Sequence, residues 1–230
     1  MRRIAIVLVA IAAASIAVGA AFAAQSPKTR LAAMRRAVAS AHSVHYVSVG
    51  SGSGHRIRMV CDVGAGRGIQ RITVTIHGTS GPATVIVVKD TAYIRGNEFT
   101  LHKYFEFPKA QASRYAGKWI KQTSTSPGYA TVAADATFES FRSTFAYPQH
   151  QLEGFTSGKL NGVRGTVQQR GIVELLTLVA PAHGKPFPAK EYATSPNHPG
   201  SGSLSFSHWN EPVHITAPRH AVPIAKVFGG

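Results

Sequence analysis

Hydrophobic positions fall into three regimes along the chain. Residues 4–19 are an apolar run, with Ser15 its one polar residue, behind Arg2 and Arg3, with Ala21-Phe22-Ala23 following. A positive start, a greasy middle and small residues at the minus-three and minus-one positions make a secretory signal. Residues 1–23 are therefore read as signal peptide, cut between Ala23 and Ala24. No Cys lies near the cut, so a lipid anchor on an N-terminal Cys is not expected. Left uncut, the same stretch reaches the ~20 residues of a membrane span and would serve as an anchor.

The second regime has helical spacing. Ser26-Pro27 reads as an N-cap with Pro at the first helical position. Leu31, Met34, Val38 and Ala41 then recur on one face, with Lys28, Arg30, Arg35 and Arg36 mostly opposite. The third regime alternates. Segments 44–49, 56–63, 69–77, 83–89 and 91–95 read as strands between Gly-rich turns, an antiparallel meander. In 69–77, Ile72, Val74 and Ile76 face one way and Arg71, Thr73 and Thr75 the other. Val85 to Val88 is apolar on both faces, which requires apolar cover on each side of the sheet.

The middle is aromatic and helical. Phe99, Leu101, Tyr104, Phe105 and Phe107 precede Pro108, a helix is expected over 110–116, and a short strand over 117–121. Ala134, Phe138, Phe141 and Phe145 are spaced four, three and four apart, one helix face with Asp135 near its start and Pro148 beyond its end. Strands return at 150–159, 164–172, 174–179, 190–194, 202–209 and 212–215. No repeat or linker interrupts them, so 24–230 is read as one domain.

Charge narrows the partners. The chain has 25 Lys and Arg against 10 Asp and Glu, a formal +15, scattered singly rather than in one run. Without a nucleic-acid motif this basicity suits anionic membrane surfaces better than nucleic acid. The single Cys, Cys61, cannot form an internal bridge. Its strand setting favours a buried, inert thiol over pairing between molecules.

Catalytic and metal motifs are not apparent. Gly52-Ser53-Gly54 is a hairpin turn and not a nucleophile elbow. Gly64-Ala65-Gly66-Arg67-Gly68 joins two strands and lacks the Lys-Ser/Thr and helix of a phosphate loop. Glu98 and Glu106 sit in the aromatic segment, but nothing raises them above solvent-facing charges to the positioned acid pair that glycoside chemistry needs. The 11 His are spread singly, and only His42 with His45 invites inspection as a metal pair. No metal, cofactor or enzymatic activity is expected.

The order of parts resembles the LppX/LprG lipoproteins of mycobacteria and the wider LolA-like carrier fold. The resemblance rests on Asp90-Thr91-Ala92-Tyr93-Ile94-Arg95-Gly96, Tyr115-Ala116-Gly117-Lys118-Trp119-Ile120 and Gly158-Lys159-Leu160-Asn161-Gly162-Val163. It also rests on the final stretch from Phe206 to Pro218. It implies an α+β fold: a strongly curved antiparallel half-barrel with helices covering its concave side over an apolar cavity. It further implies a non-enzymatic carrier of lipid, glycolipid or acylated ligands in the envelope space. The chain departs from most such lipoproteins in having no lipobox Cys. Cavity candidates are the rings of Tyr93, Phe99, Phe105, Phe107, Trp119, Phe138, Phe141 and Phe145, with Lys and Arg expected at the rim. The competing expectation is an envelope interaction module in which these rings fill a packed core.

Overall fold

The computed structural model describes residues 25–143, 145, 150–169, 172–195 and 200–229. The signal expected over 1–23 lies outside them, as does Pro148. The chain divides into a larger unit, Ala41–Phe145 with Pro199–Gly230, and a smaller one, Met1–Ser40 with Ala146–His198.

In the larger unit, alternation and tight turns produce the meander β1 (Ser43–Gly52), β2 (His55–Gly64), β3 (Arg67–Ile76), β4 (Thr79–Val88) and β5 (Thr91–Gly96). The strands run further into the Gly-rich stretches than the sequence suggests, leaving two-residue loops. Ser53-Gly54 and His77-Gly78 both take positive φ at both positions, the twist that suits a hairpin loop. Together with β6 (Ile120–Thr123), β11 (Ser201–Ser207) and β12 (Val222–Pro223) the order is β12-β6-β5-β4-β3-β2-β1-β11. Among the described residues of this unit, only the two-residue β12 is parallel to its neighbour.

Register decides which side chains meet. Tyr46, Cys61, Gln70, Val85, Ile94 and Ile120 are successive cross-strand partners and all are buried. Val63, Gly68, Val87, Ala92 and Gln122 form the next row of the same inner face. Over this face lie short helices: α2 (Glu98–Lys103), α3 (Lys109–Tyr115), α4 (Tyr129–Ala133), α5 (Phe138–Ser143) and α6 (Ile224–Phe228). Asn97 caps α2, its side chain accepting from Thr100 N–H at 2.9 Å. Gly68 is where the covering chain comes closest, since a Cβ there would collide with the Ala136 carbonyl.

Several expectations change. Of residues 134–145, expected as one helix, α-helix is confined to Phe138–Ser143 (α5); Asp135, whose φ of 55° is not helical, lies in the turn that separates it from α4. Residues 212–215 are not a strand. Pro212 and Pro218 lack ladder donors, and the segment lies on the outer face, where its Val213 and Ile215 line a pocket together with Ile86. Ile86 is 8% exposed while Val85 and Val87 on the other face are 1% and 0%. That is the cover on each side that the doubly apolar strand demands.

The smaller unit contains helix α1 (Pro27–Ser40) and strands β7 (His150–Ser157), β8 (Leu160–Gln169), β9 (Ile172–Pro181) and β10 (Lys190–Thr194), antiparallel in the order β10-β9-β8-β7. Ser26 accepts from Thr29 N–H at 3.3 Å, the expected cap. Leu31, Met34 and Val38 are buried. Arg30, expected among the outward basic residues, is buried too. Its guanidinium donates to the Gln25 and Phe155 carbonyls, each at 3.0 Å.

Candidate functional site

The inner face of the larger unit is not filled throughout. A cavity of about 540 Å³ lies between two apolar clusters, within the ~300–1,000 Å³ usual for small-molecule sites. Its floor is sheet: Met59, Gln70, Ile72, Val85, Ile94 and Gln122. Its walls are Phe105 and Phe107 after α2, Val132 on α4, and Ile224 and Phe228 on α6. Glu106, Pro127, Gly128 and Thr131 also border it and are exposed, which places its mouth beside them. Phe228, 49% exposed, meets Phe107 edge-on at 5.1 Å.

Hydrogen bonds fix the turn between α4 and α5 to the sheet at the back. Tyr46 OH donates to the Asp135 carbonyl at 2.7 Å, and Gln70 Nε2 to the Ala134 carbonyl at 3.1 Å. Burial pushes the Asp135 carboxyl above its ordinary range. No lining residue is a Lys, Arg or His, so the basic rim expected from the sequence is not found among the described lining residues.

Of the eight rings singled out from sequence, Phe105 and Phe107 line this cavity. Phe99 packs on the adjoining core cluster, part-buried. Trp119 is part-buried with the Arg95 guanidinium 5.9 Å from its centroid. Tyr93 is cross-strand from Ile86 and Lys121, in the outward register. Phe138, Phe141 and Phe145 meet one another as the spacing anticipates, at 5.9 and 5.3 Å. They join Tyr46, Phe206 and Trp209 in an aromatic core away from the cavity lining. Sequence reasoning passed over Gln122, Val132 and Phe228, and named Asp135 only as an acid near a helix start. Only register and the path of the covering helices bring them together.

The outer face carries a second pocket of about 570 Å³, bounded by the 212–216 segment. Here His45 Nδ1 lies 2.6 Å from Asp62 Oδ1, and Arg71 donates to Asp62 Oδ2 at 3.2 Å. Burial of Asp62 works against its ionisation, yet these two partners hold its carboxyl below the ordinary range. His208 Nδ1 is 2.8 Å from Glu211 Oε2, and the His45 and His208 rings are 5.8 Å apart. Each imidazole is paired with a carboxylate, and neither pair includes a nucleophile. His42 is exposed, its N–H donating to Asn210 Oδ1 at 3.0 Å. Among the described residues no group of three or more His, Cys, Asp or Glu is placed to hold a metal ion.

These elements define an α+β protein with a large, unclosed, mostly antiparallel sheet and few, short helices. Against solved structures, the chain is similar to lipoprotein LppX of Mycobacterium tuberculosis, with a TM-score of 0.50 at 15% identity, covering 83% of this chain and 100% of that one. It also matches a DUF1329 family protein of Desulfovibrio piger (TM-score 0.28, 10% identity, 84% and 96% covered). A third match is an outer membrane lipoprotein-sorting protein domain of Vibrio parahaemolyticus (TM-score 0.26, 9% identity, 82% and 95% covered). The likeness to LppX shows the fold; the two lower scores add nothing to it. No protein-family model and no curated protein matches the sequence.

Proposed function

We propose that this chain is an exported, non-enzymatic carrier that holds an acyl-type ligand in the cavity of its larger unit. What carries the reading is that cavity: Met59, Ile72, Val85 and Ile94 with two glutamines on the sheet below, Phe105, Phe107 and Val132 above, and a mouth at the surface. Burial of hydrocarbon drives such binding at about 0.8 kcal/mol per methylene, so a chain of moderate length needs few polar contacts. The LppX-like fold and the secretory pattern of Arg2, Arg3 and residues 4–19 support the same reading. Among the described residues no helix is long and apolar enough to cross a membrane.

The test is native mass spectrometry of delipidated protein exposed to an acylglycerol extract, beside a Val132→Trp variant that fills the cavity. Wild type is expected to carry bound lipid and the variant to lose it. Lipid-free wild type, or equal loading of both, would refute the carrier. The interaction-module alternative requires a filled interior, and this cavity weighs against it.

A further inference from the structure

The strands of the larger unit sort their charges by face. Their Lys and Arg are Arg56, Arg58, Arg67, Arg71, Arg95 and Lys121, and their one acid is Asp62. Arg56, Arg58 and Asp62 stand out of phase with the inward Cys61, and Arg67 and Arg71 with Gln70. Arg95 stands so to Ile94, and Lys121 to Ile120. A two-residue period therefore puts all of them on the outer face, and the six cations are exposed. The acid is already answered, with His45 on one oxygen at 2.6 Å and Arg71 on the other at 3.2 Å. Glu211, in the segment that crosses this face, is taken up by His208 at 2.8 Å. Among the described residues no acid pairs with Arg56, Arg58, Arg67, Arg95 or Lys121.

The arrangement of these cations restricts what they meet. They spread along strands, as Arg56 with Arg58, and across them from β2 to β6, about 19 Å at ~4.8 Å per step. A polymer is gripped along one track, whereas a layer of headgroups presents phosphates in two directions. Two rings stand among the cations. Tyr93 is cross-strand from Lys121, and the Trp119 centroid is 5.9 Å from the Arg95 guanidinium. Both rings are part-buried, and neither lines the cavity. Half-exposed Trp and Tyr beside cations are the side chains that gather at membrane interfaces.

We propose that this outer face docks on an anionic lipid bilayer, with the five unpaired cations on headgroup phosphates and Trp119 and Tyr93 at the interface. The cavity lies on the inner face of the same sheet, so the docked protein keeps it turned toward water. Docking needs only outward side chains and is therefore independent of the carrier reading.

The experiment is sedimentation of the full chain with vesicles of phosphatidylcholine, alone or with one third phosphatidylglycerol. Salt is set at about 0.1 M or about 1 M, where the Debye length is ~10 and ~3 Å. Any hold that residues 4–19 have on a bilayer is common to both vesicles and to every variant, so the readout is the difference between them. Wild type is expected to bind the anionic vesicles at least about a hundredfold more tightly in the lower salt, at roughly fivefold per cation. The higher salt should remove most of that preference. Arg56→Gln/Arg58→Gln/Arg95→Gln should remove most of it too. Lys103→Gln/Lys109→Gln/Lys226→Gln takes the same charge from α2, α3 and α6 over the inner face and should keep it within about threefold, by screening. Dibromo-phosphatidylglycerol should quench tryptophan fluorescence, and Trp119→Phe should abolish most of the quenching.

Wild type without preference for the anionic vesicles overturns the docking. Equal losses in the two triple variants make it a matter of overall charge and overturn the face, as does quenching that Trp119→Phe leaves unchanged. Retention on polygalacturonate with none on vesicles makes the partner an acidic polymer and overturns the bilayer. Uptake of pyrene, a fluorescent hydrocarbon, reads the cavity separately, so docking without uptake sinks the carrier alone and uptake without docking sinks the membrane face alone. The wild-type comparison stands even if a variant fails to fold.

Discussion

Replacing Phe141 by Ala separates a core ring from a ligand gate. Phe141 is 1% exposed. Its ring stacks on Tyr46 at 5.1 Å and 23°, and meets Phe145 and Phe206 near edge-on at 5.3 and 5.8 Å. Burying the side chain contributes about 1.5–3 kcal/mol, and each well-placed aromatic pair about 0.5–1.5 more. The sum exceeds what truncation removes, since the neighbours partly relax, and Phe→Ala in cores costs about 3–5 kcal/mol. For a chain of this size each kcal/mol moves the midpoint by about 2–4 °C, so the transition of the larger unit should fall by about 6–20 °C. Thermal melts followed by near-ultraviolet circular dichroism measure this. Below the transition, the variant should still take up pyrene with wild-type affinity, because Phe141 does not line the cavity. A midpoint within about 2 °C of wild type, the range of surface substitutions, together with lost pyrene binding, would refute the core assignment and make the ring part of the gate.

Glu191 on β10 is pushed up to about 7 by burial and by the nearby Glu174 carboxylate. Because the folded value is raised, Glu191 contributes no penalty below its unfolded value, an increasing one as pH rises toward 7, and its full penalty above that. At most this is about 3 kcal/mol. Glu191→Gln should raise the urea midpoint at about pH 8 and leave it unchanged at about pH 4; an equal gain at both would sink the argument. Cys61 is fully buried and its thiol is pushed up to about 12, chiefly by burial. It should resist Ellman's reagent in the folded protein and react on unfolding, and rapid native labelling would contradict its placement.

The meander was legible because two local signals agree there: period-two alternation and turns that accept positive φ. At residues 212–215 the same alternation misled. Val213 and Ile215 line the outer-face pocket with Ile86, but the segment that carries them does not join the sheet as a strand, and Pro212 and Pro218 beside it lack ladder donors. The α2 cap is readable in principle, since Asn97 stands before Glu98 and its side chain accepts from Thr100 N–H. Phe138, Phe141 and Phe145 show a firmer limit. Helical spacing states that three rings share a face, while whether that face meets Phe206 and Trp209 or a cavity depends on residues far away in sequence. Gln122 was invisible for the same reason. A Gln between Lys121 and Thr123 looks like an exposed strand residue until pairing with Ala92 turns it inward.

Register also explains why so basic a protein has an acidic cavity. On β2 the residues alternating with Cys61 are Arg56, Arg58 and Asp62. On β3 Arg71 lies between Gln70 and Ile72, and on β5 Arg95 follows Ile94. Once Cys61, Gln70 and Ile94 face inward, a two-residue period turns each of these arginines outward, and all four are exposed. None could reach the cavity without a one-residue slip that would also expel the core. The meander's positive charge is therefore presented on the side of the sheet away from the lining. The lining itself keeps apolar walls and two acids, Glu106 and Asp135.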